Sequence, residues 1–130
     1  MKHIFFSMAI VLLIMASCQK ETTTTTPIDK EKAIAGQWRL YRIYTDYSSD
    51  TIPPDEDLFL IFNEDRSFYL DVNVGTWHMS ENKDTVITVI EQETRPYFIQ
   101  SVNNSKLVLK YRALLPNGTY SYEIGLDLYK

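Results

Sequence analysis

From Gln37 to its end the chain alternates apolar and polar residues with a period of two, broken at short intervals by turn residues. The final stretch carries the pattern most plainly. Tyr120, Tyr122, Ile124, Leu126 and Leu128 share one parity, and Ser121, Glu123, Gly125 and Asp127 the other. Successive strand side chains point to opposite faces, so this pattern puts one face in a core and one in water. Phe68, Leu70 and Val72 obey the same rule, as do Leu107, Leu109 and Tyr111. Candidate strands run over 38–45, 58–63, 67–72, 76–79, 85–91, 97–102, 106–112 and 119–129. Turn clusters separate them: Asn63-Glu64-Asp65-Arg66, Val74-Gly75, Glu81-Asn82-Lys83-Asp84, Asn103-Asn104-Ser105 and Pro116-Asn117-Gly118. Short loops make consecutive strands pair antiparallel, and only 46–57, with Pro53-Pro54, is a long connection. Eight such strands leave two open edges unless the sheet closes. The expected fold is therefore all-β, a small antiparallel up-and-down eight-stranded barrel, with an open sandwich as its rival.

Ahead of the first strand, Thr26-Pro27-Ile28-Asp29 has the makings of a helix start. Threonine suits the N-cap, proline the first helical position, and Asp29 the place of a capping acid. A short helix over 30–35 would then stop at Gly36.

At the N-terminus Lys2 and His3 lead into the apolar run 4–15, followed by Ala16-Ser17-Cys18. A positive start, a short apolar core and small residues before a cleavage point make a secretory signal peptide. A spanning helix needs about 20 apolar residues. Met15-Ala16-Ser17-Cys18 resembles the lipobox of bacterial lipoproteins. That resemblance implies a diacylglycerol on the Cys18 thiol and attachment to a membrane through it. The rival is an ordinary secretory signal, which would leave Cys18 as a lone free thiol in an oxidising compartment. Cys18 is the chain's one cysteine, so once acylated it leaves no disulfide and no cysteine zinc site. The polar stretch behind it, with five threonines from Thr22, has nothing apolar to bury and reads as a tether spread on the order of 15 Å. Cys18-Gln19-Lys20-Glu21 is also similar to the signal that sends some Gram-negative lipoproteins to the outer face. The expected location is the cell envelope, as a surface-exposed outer-membrane lipoprotein, with a periplasm-facing one as the alternative. The expected organisation is a signal peptide over 1–17, acylated cysteine and tether over 18–26, and one domain over 27–130.

The barrel region carries a second resemblance. Gly36-Gln37-Trp38, after a short helix and opening the first strand, resembles the start of lipocalin-like domains. Leu60-Ile61-Phe62-Asn63-Glu64-Asp65-Arg66-Ser67-Phe68 is similar to a family hairpin, Gly75-Thr76-Trp77 to a family strand start, and Ser105-Lys106-Leu107-Val108-Leu109 to another strand. Together they resemble the short lipocalin-like lipoproteins of Gram-negative bacteria. The resemblance implies a calycin-type barrel with Gly36, Trp38, Gly75 and Trp77 as structural motif residues. Three places depart from it: Asp65-Arg66 stands where the family has Asp-Gly, Thr45-Asp46-Tyr47 spells part of a second family motif near the first strand, where that motif does not belong, and Lys130 ends a last strand that lacks the arginine expected against Trp38.

Function classes narrow by inventory. With 13 basic and 17 acidic residues the chain carries a net charge of −4, and loss of Lys2 with the leader makes it more acidic still. That balance speaks against nucleic acid and provides no polybasic patch. After the leader one histidine remains, His78, and its parity against Trp77 turns it outward. No nucleophile elbow, metal-ligand spacing or calcium loop is present, Asp55-Glu56-Asp57 reading as a solvated turn. No catalytic residue, metal or cofactor is expected, and the protein reads as non-enzymatic.

Binding is the leading expectation, of a small apolar or amphiphilic ligand. Inward parity assigns Trp38, Leu40, Phe62, Phe68, Leu70, Trp77, Tyr120 and Tyr122, large side chains that favour a filled interior over a sizeable cavity. Arg42 shares parity with Trp38, Leu40 and Tyr44. It either points into the open mouth, where an anionic ligand would pair with it, or sits at the rim or against a protein carboxylate. Arg42, Tyr44, Tyr120 and Tyr122 are the candidate lining of a pocket. The alternative is a protein- or glycan-interaction module with a filled barrel, using outward Tyr41, Tyr47, Tyr69 and Tyr129. Asp50-Thr51-Ile52 and Asp84-Thr85-Val86 resemble the acceptor pattern of bacterial O-glycosylation, making Thr51 and Thr85 candidate modification sites.

Overall fold

The computed structural model describes residues 26–130. The signal peptide, the lipobox with Cys18, and the tether up to residue 25 lie outside the described residues. Helix α1 (Lys30–Ile34) is capped by Asp29, not by Thr26 as the sequence suggested. The Asp29 carboxylate accepts from the Glu31 amide at 3.2 Å, satisfying a donor that a helix start leaves free. Pro27 and Ile28 therefore run before the helix and line one recess with Asn82 and Lys83.

Nine strands follow: β1 (Gly36–Tyr44), β2 (Ser49–Thr51), β3 (Phe59–Phe62), β4 (Ser67–Leu70), β5 (Asn73–Met79), β6 (Thr85–Ile90), β7 (Glu93–Val102), β8 (Lys106–Tyr111) and β9 (Ile124–Tyr129). All pairings are antiparallel, and β9 returns to pair with β1, which removes both edges. β2 and β3 share one position beside β1, β3 along Gly36–Arg39 and β2 along Arg42–Tyr44. The wall stays continuous across the gap, because the Leu40 amide donates to Leu58 O and the Ile52 amide to Tyr41 O, each at 2.8 Å. Residues 53–57 are thus an acidic excursion from one wall, and the barrel is eight-stranded as expected.

Its interior is filled by Trp38, Leu60, Phe62, Phe68, Val86, Leu107, Leu109 and Leu128, all buried, with Leu40, Trp77, Tyr97 and Ile99 beside them. One end is sealed. Ile34 of α1 is buried there, and Trp38 Nε1 donates to its carbonyl at 2.6 Å. Lys130 Nζ lies 4.6 Å from the Trp38 ring centroid, in the role of the missing arginine, and donates to Ala35 O at 3.3 Å. Trp77 Nε1 donates to Asn63 O at 2.8 Å, and the Arg66 guanidinium stacks 4.7 Å above that ring.

The strand β2 lies within 46–57, which the sequence reading took as one long connection, and three boundaries and a bulge also differ from that reading. Val74-Gly75 lies inside β5, and the chain turns at Asp71-Val72, where Asp71 takes a φ of 54°. β7 starts at Glu93, four residues early, because Pro96 is tolerated within it. The Ile99 amide donates toward β6, to Asp84 O, so by alternation the absent Pro96 N–H faces β8. Pairing with β8 begins only at Phe98, and no ladder bond is lost. β9 starts at Ile124, and the alternating residues before it belong to a separate small hairpin. There the Leu115 amide donates to Thr119 O at 2.7 Å and Ser121 to Ala113 O at 2.8 Å. Finally, β1 carries a bulge between Leu40 and Arg42.

Candidate functional site

The bulge decides where the predicted site residues go. Residues directly opposite in an antiparallel ladder share a face, and one extra residue flips everything beyond it. Leu40 stands opposite Leu128 and points inward, Arg42 stands opposite Asp127, and Tyr44 opposite Gly125. Asp127 and Gly125 have the outward parity of β9, so Arg42 and Tyr44 lie on the outer wall and the expectation of an inward Arg42 is corrected. Arg42 Nε donates to Asp127 Oδ2 at 3.0 Å, the protein carboxylate that was its alternative partner. Its guanidinium lies 5.0 Å from the Tyr44 centroid. That hydrogen bond and the Asp127 charge raise the Arg42 pKa. Tyr44 in turn covers Gly125 so closely that a Cβ there would fall 2.2 Å from the ring.

Tyr120 and Tyr122 are corrected too. They precede β9, are 68% and 60% exposed, and Tyr122 packs edge-on to Tyr47 at 6.4 Å. Of the four predicted lining residues, only Arg42 and Tyr44 meet, and they meet outside the barrel. Thr51 is exposed on β2, whereas the Thr85 hydroxyl donates to Asp84 Oδ1 at 2.8 Å.

The open end holds a different constellation. Register carries the inward face of Trp77 to Thr88 and on to Arg95, that of Gly75 to Ile90 and Glu93, and that of Met79 to Val86 and Tyr97. Thr88, Ile90, Glu93, Arg95 and Tyr97, with Leu70 of β4, Asn73 of β5 and Glu91 and Gln92 of the β6–β7 turn, line a recess of about 630 Å³. β7 reaches this end because it outruns its partner β8. Thr88 and Tyr97 are buried and form the floor, with the packed interior beneath.

Arg95 dominates the recess. Its Nη2 pairs with Glu93, its Nη1 lies 3.5 Å from the Tyr97 hydroxyl, and the guanidinium lies 5.4 Å from the Tyr111 centroid. Burial works against the Arg95 charge, but the hydrogen bonds to Glu93 and Tyr97 and the Glu93 charge outweigh it and hold the pKa above its ordinary value. Burial pushes the Tyr97 hydroxyl up, with Arg95 opposing, so Tyr97 keeps its proton at neutral pH. Tyr97 and Tyr111 pack at 5.2 Å, which fixes both rings. The recess therefore offers a cation paired with a carboxylate and a phenolic hydroxyl, within a lining more polar than apolar that also includes Asn73, Glu91 and Gln92.

Sequence reasoning missed Arg95 because Pro96 removed it from the candidate strand. The signal that finds it is the shared parity of Glu93, Arg95, Tyr97 and Ile99. A second recess, about 690 Å³, lies on the outer wall among Gln37, Arg39, Tyr41, Phe59, Tyr129 and Lys130. Among the described residues no group of three or more His, Cys, Asp or Glu side chains is placed to share a metal ion.

No protein-family model and no curated protein matches the chain. Two solved structures of lipocalin-family barrels resemble it. Bovine odorant binding protein, as a deswapped triple mutant, is 17% identical over 75% of this chain and 74% of that one, with a TM-score of 0.49. Lobster apocrustacyanin A1 is 11% identical over 80% and 69% of the two chains, with a TM-score of 0.42.

Proposed function

We propose that this protein is a lipid-anchored lipoprotein of the cell envelope whose barrel holds a small amphiphilic molecule at its open end. The observation that carries the binding half is the recess over Thr88 and Tyr97, with a charged side chain inside and a packed core below. Concave sites where polar groups converge and fix an orientation are the usual seats of small ligands, and here Arg95, Glu93 and Tyr97 converge beside Leu70 and Ile90. The filled interior limits the occupant to the outer part of the barrel. The anchor half rests on Met15-Ala16-Ser17-Cys18.

Native mass spectrometry on mature protein released gently from membranes tests the first half. The expected spectrum carries an added mass that vanishes on denaturation, with lower occupancy in Arg95→Gln. A bare protein mass in both overturns it. For the anchor, Cys18→Ala is expected to abolish acylation, and acyl chains persisting on that variant overturn the lipobox reading.

A second reading is a protein- or glycan-interaction module. It is favoured by the outer-wall recess, where Tyr41 and Tyr129 meet edge-on at 5.5 Å beside Phe59. Aromatic rings at such a site supply contact area at low entropic cost. Loss of a partner by Tyr129→Ala, with Arg95→Gln harmless, would favour this reading over the first.

A further inference from the structure

We infer that the outer-wall recess seats a neutral glycan, one pyranose ring of it in the corner between Tyr41 and Tyr129. This rests on the second reading above, of that wall as an interaction surface, and names the partner by its chemistry.

The corner is a product of the bulge in β1. Leu40 stands opposite Leu128 and Arg42 opposite Asp127, which leaves Tyr41 as the extra residue, without an opposite number on β9. The Tyr41 carbonyl accepts instead from the Ile52 amide at 2.8 Å, and its ring meets Tyr129 edge-on, 5.5 Å between centroids and at 88°. Register sets the rest of the wall. Phe59 stands opposite Arg39, and Arg39 opposite Tyr129. Tyr41 and Tyr129 remain 44% and 37% exposed. Two phenol rings at a right angle, with Phe59 beside them, thus line about 690 Å³ of open space on a closed barrel wall.

The charges around these rings are already matched. Arg39 Nε donates to Asp57 Oδ1 at 3.3 Å and its Nη2 to Pro53 O at 3.2 Å. Lys130 Nζ donates to Ala35 O at 3.3 Å and sits over Trp38. Lys106, opposite Tyr129 on β8, lies over that ring at 5.4 Å from its centroid. An anion gains little from cations so engaged, and it would meet the acidic excursion that carries Asp57. What the lining offers is neutral and two-sided. The Gln37 carboxamide, exposed here, and the two phenolic hydroxyls each donate and accept. A sugar matches both features, because its C–H face is apolar and lies on an aromatic ring while its hydroxyls donate and accept around the rim.

A peptide finds less. Extended peptides add a strand to an open sheet edge, and the pairing of β1 with β9 leaves none at Arg39 and Tyr129. Proline-rich helices dock in grooves between aromatic side chains, and the edge contact of Tyr41 with Tyr129 closes that groove. The right angle also selects among glycans. A flat, extended β-1,4 glucan needs coplanar platforms, whereas an α-1,4 glucan bends and lays successive rings on both tyrosines.

Calorimetric titration of the mature protein with maltopentaose, with its β-linked isomer cellopentaose, and with a decaproline peptide tests this. Maltopentaose is expected to bind at least roughly fivefold more tightly than cellopentaose. Its affinity should not change between about 50 mM and 500 mM salt, since no net charge is matched on binding. Tyr41→Ala and Tyr129→Ala should each weaken it about tenfold, and Tyr129→Phe, which keeps the ring, by less than about threefold, with melting temperatures confirming folding. Cellopentaose bound as tightly, or equal losses in Tyr129→Phe and Tyr129→Ala, overturns the inference. Binding of the peptide and of neither glycan overturns it too, while leaving the wall an interaction surface. With no probe bound the inference falls, and the wall reading falls with it where crosslinking in membranes gives the same products for the parent and Tyr129→Ala.

Discussion

Arg66 holds a φ of 73°, a conformation that suits glycine and that the family hairpin assigns to it. The side chain compensates: it stacks on Trp77 and pairs with Glu31 of α1, tying the β3–β4 turn to the helix. Arg66→Ala keeps the backbone strain and loses both contacts, whereas Arg66→Gly loses the contacts and relieves the strain. Denaturant titration should find Arg66→Ala the less stable of the two by about 1 kcal/mol. The pair with Arg66 also sets an acid limit. Hydrogen bonding to Arg66 holds Glu31 below its ordinary 4.5, and bonding to the Ser67 hydroxyl and amide holds Asp65 below 3.8. Hydrogen bonding to Lys110 lowers Glu123 likewise. A carboxyl depressed in the folded state contributes stability above its unfolded value and loses it as pH falls through the folded one. The melting temperature is therefore expected to fall progressively below about pH 4.5, and Arg66→Gly should flatten the part due to Glu31. A melting series from pH 7 to pH 2 checks this.

Strands were legible to the extent that burial on one face imposes period two. That same rule misled wherever a local event broke or mimicked it. Arg39-Leu40-Tyr41-Arg42 has no glycine or proline to announce a bulge, so parity carried Arg42 across it to the wrong face. Tyr120 and Tyr122 continue the alternation of β9 while belonging to the hairpin before it. An arginine stands among tyrosines at the open end, but it is Arg95 with Tyr97 and Tyr111, whereas Arg42 and Tyr44 lie on the outer wall and Tyr120 and Tyr122 are exposed before β9. Gly75 is legible as a motif residue, and its reason is now physical. A Cβ there would lie 2.0 Å from the Val89 carbonyl oxygen across the β5–β6 ladder. Gly75→Ala is expected to cost about 3 kcal/mol or to prevent accumulation of soluble protein. Expression together with a melting curve decides it, and a variant as stable as the parent would show that the strands separate freely.

The molecule as a whole has two unlike ends. One is closed by α1, by two tryptophan side chains bonded to backbone carbonyls, and by the cations stacked on them. The other holds the recess, the projecting end of β7 and the hairpin before β9. Regions with few buried contacts open locally at low cost, so amide hydrogen exchange should be slow in β1, β3 and β4 and faster over 113–121.

Pro27 and Ile28 line one shallow recess with Asn82 and Lys83, so the chain comes into the domain at its sealed end. Any restraint applied to the residues ahead of Thr26 pulls on that end and leaves the open-end recess on the far side. A force applied to the chain before Thr26 is therefore borne first by the sealed end, where Lys83 pairs with Glu31, and reaches β7 and the recess last.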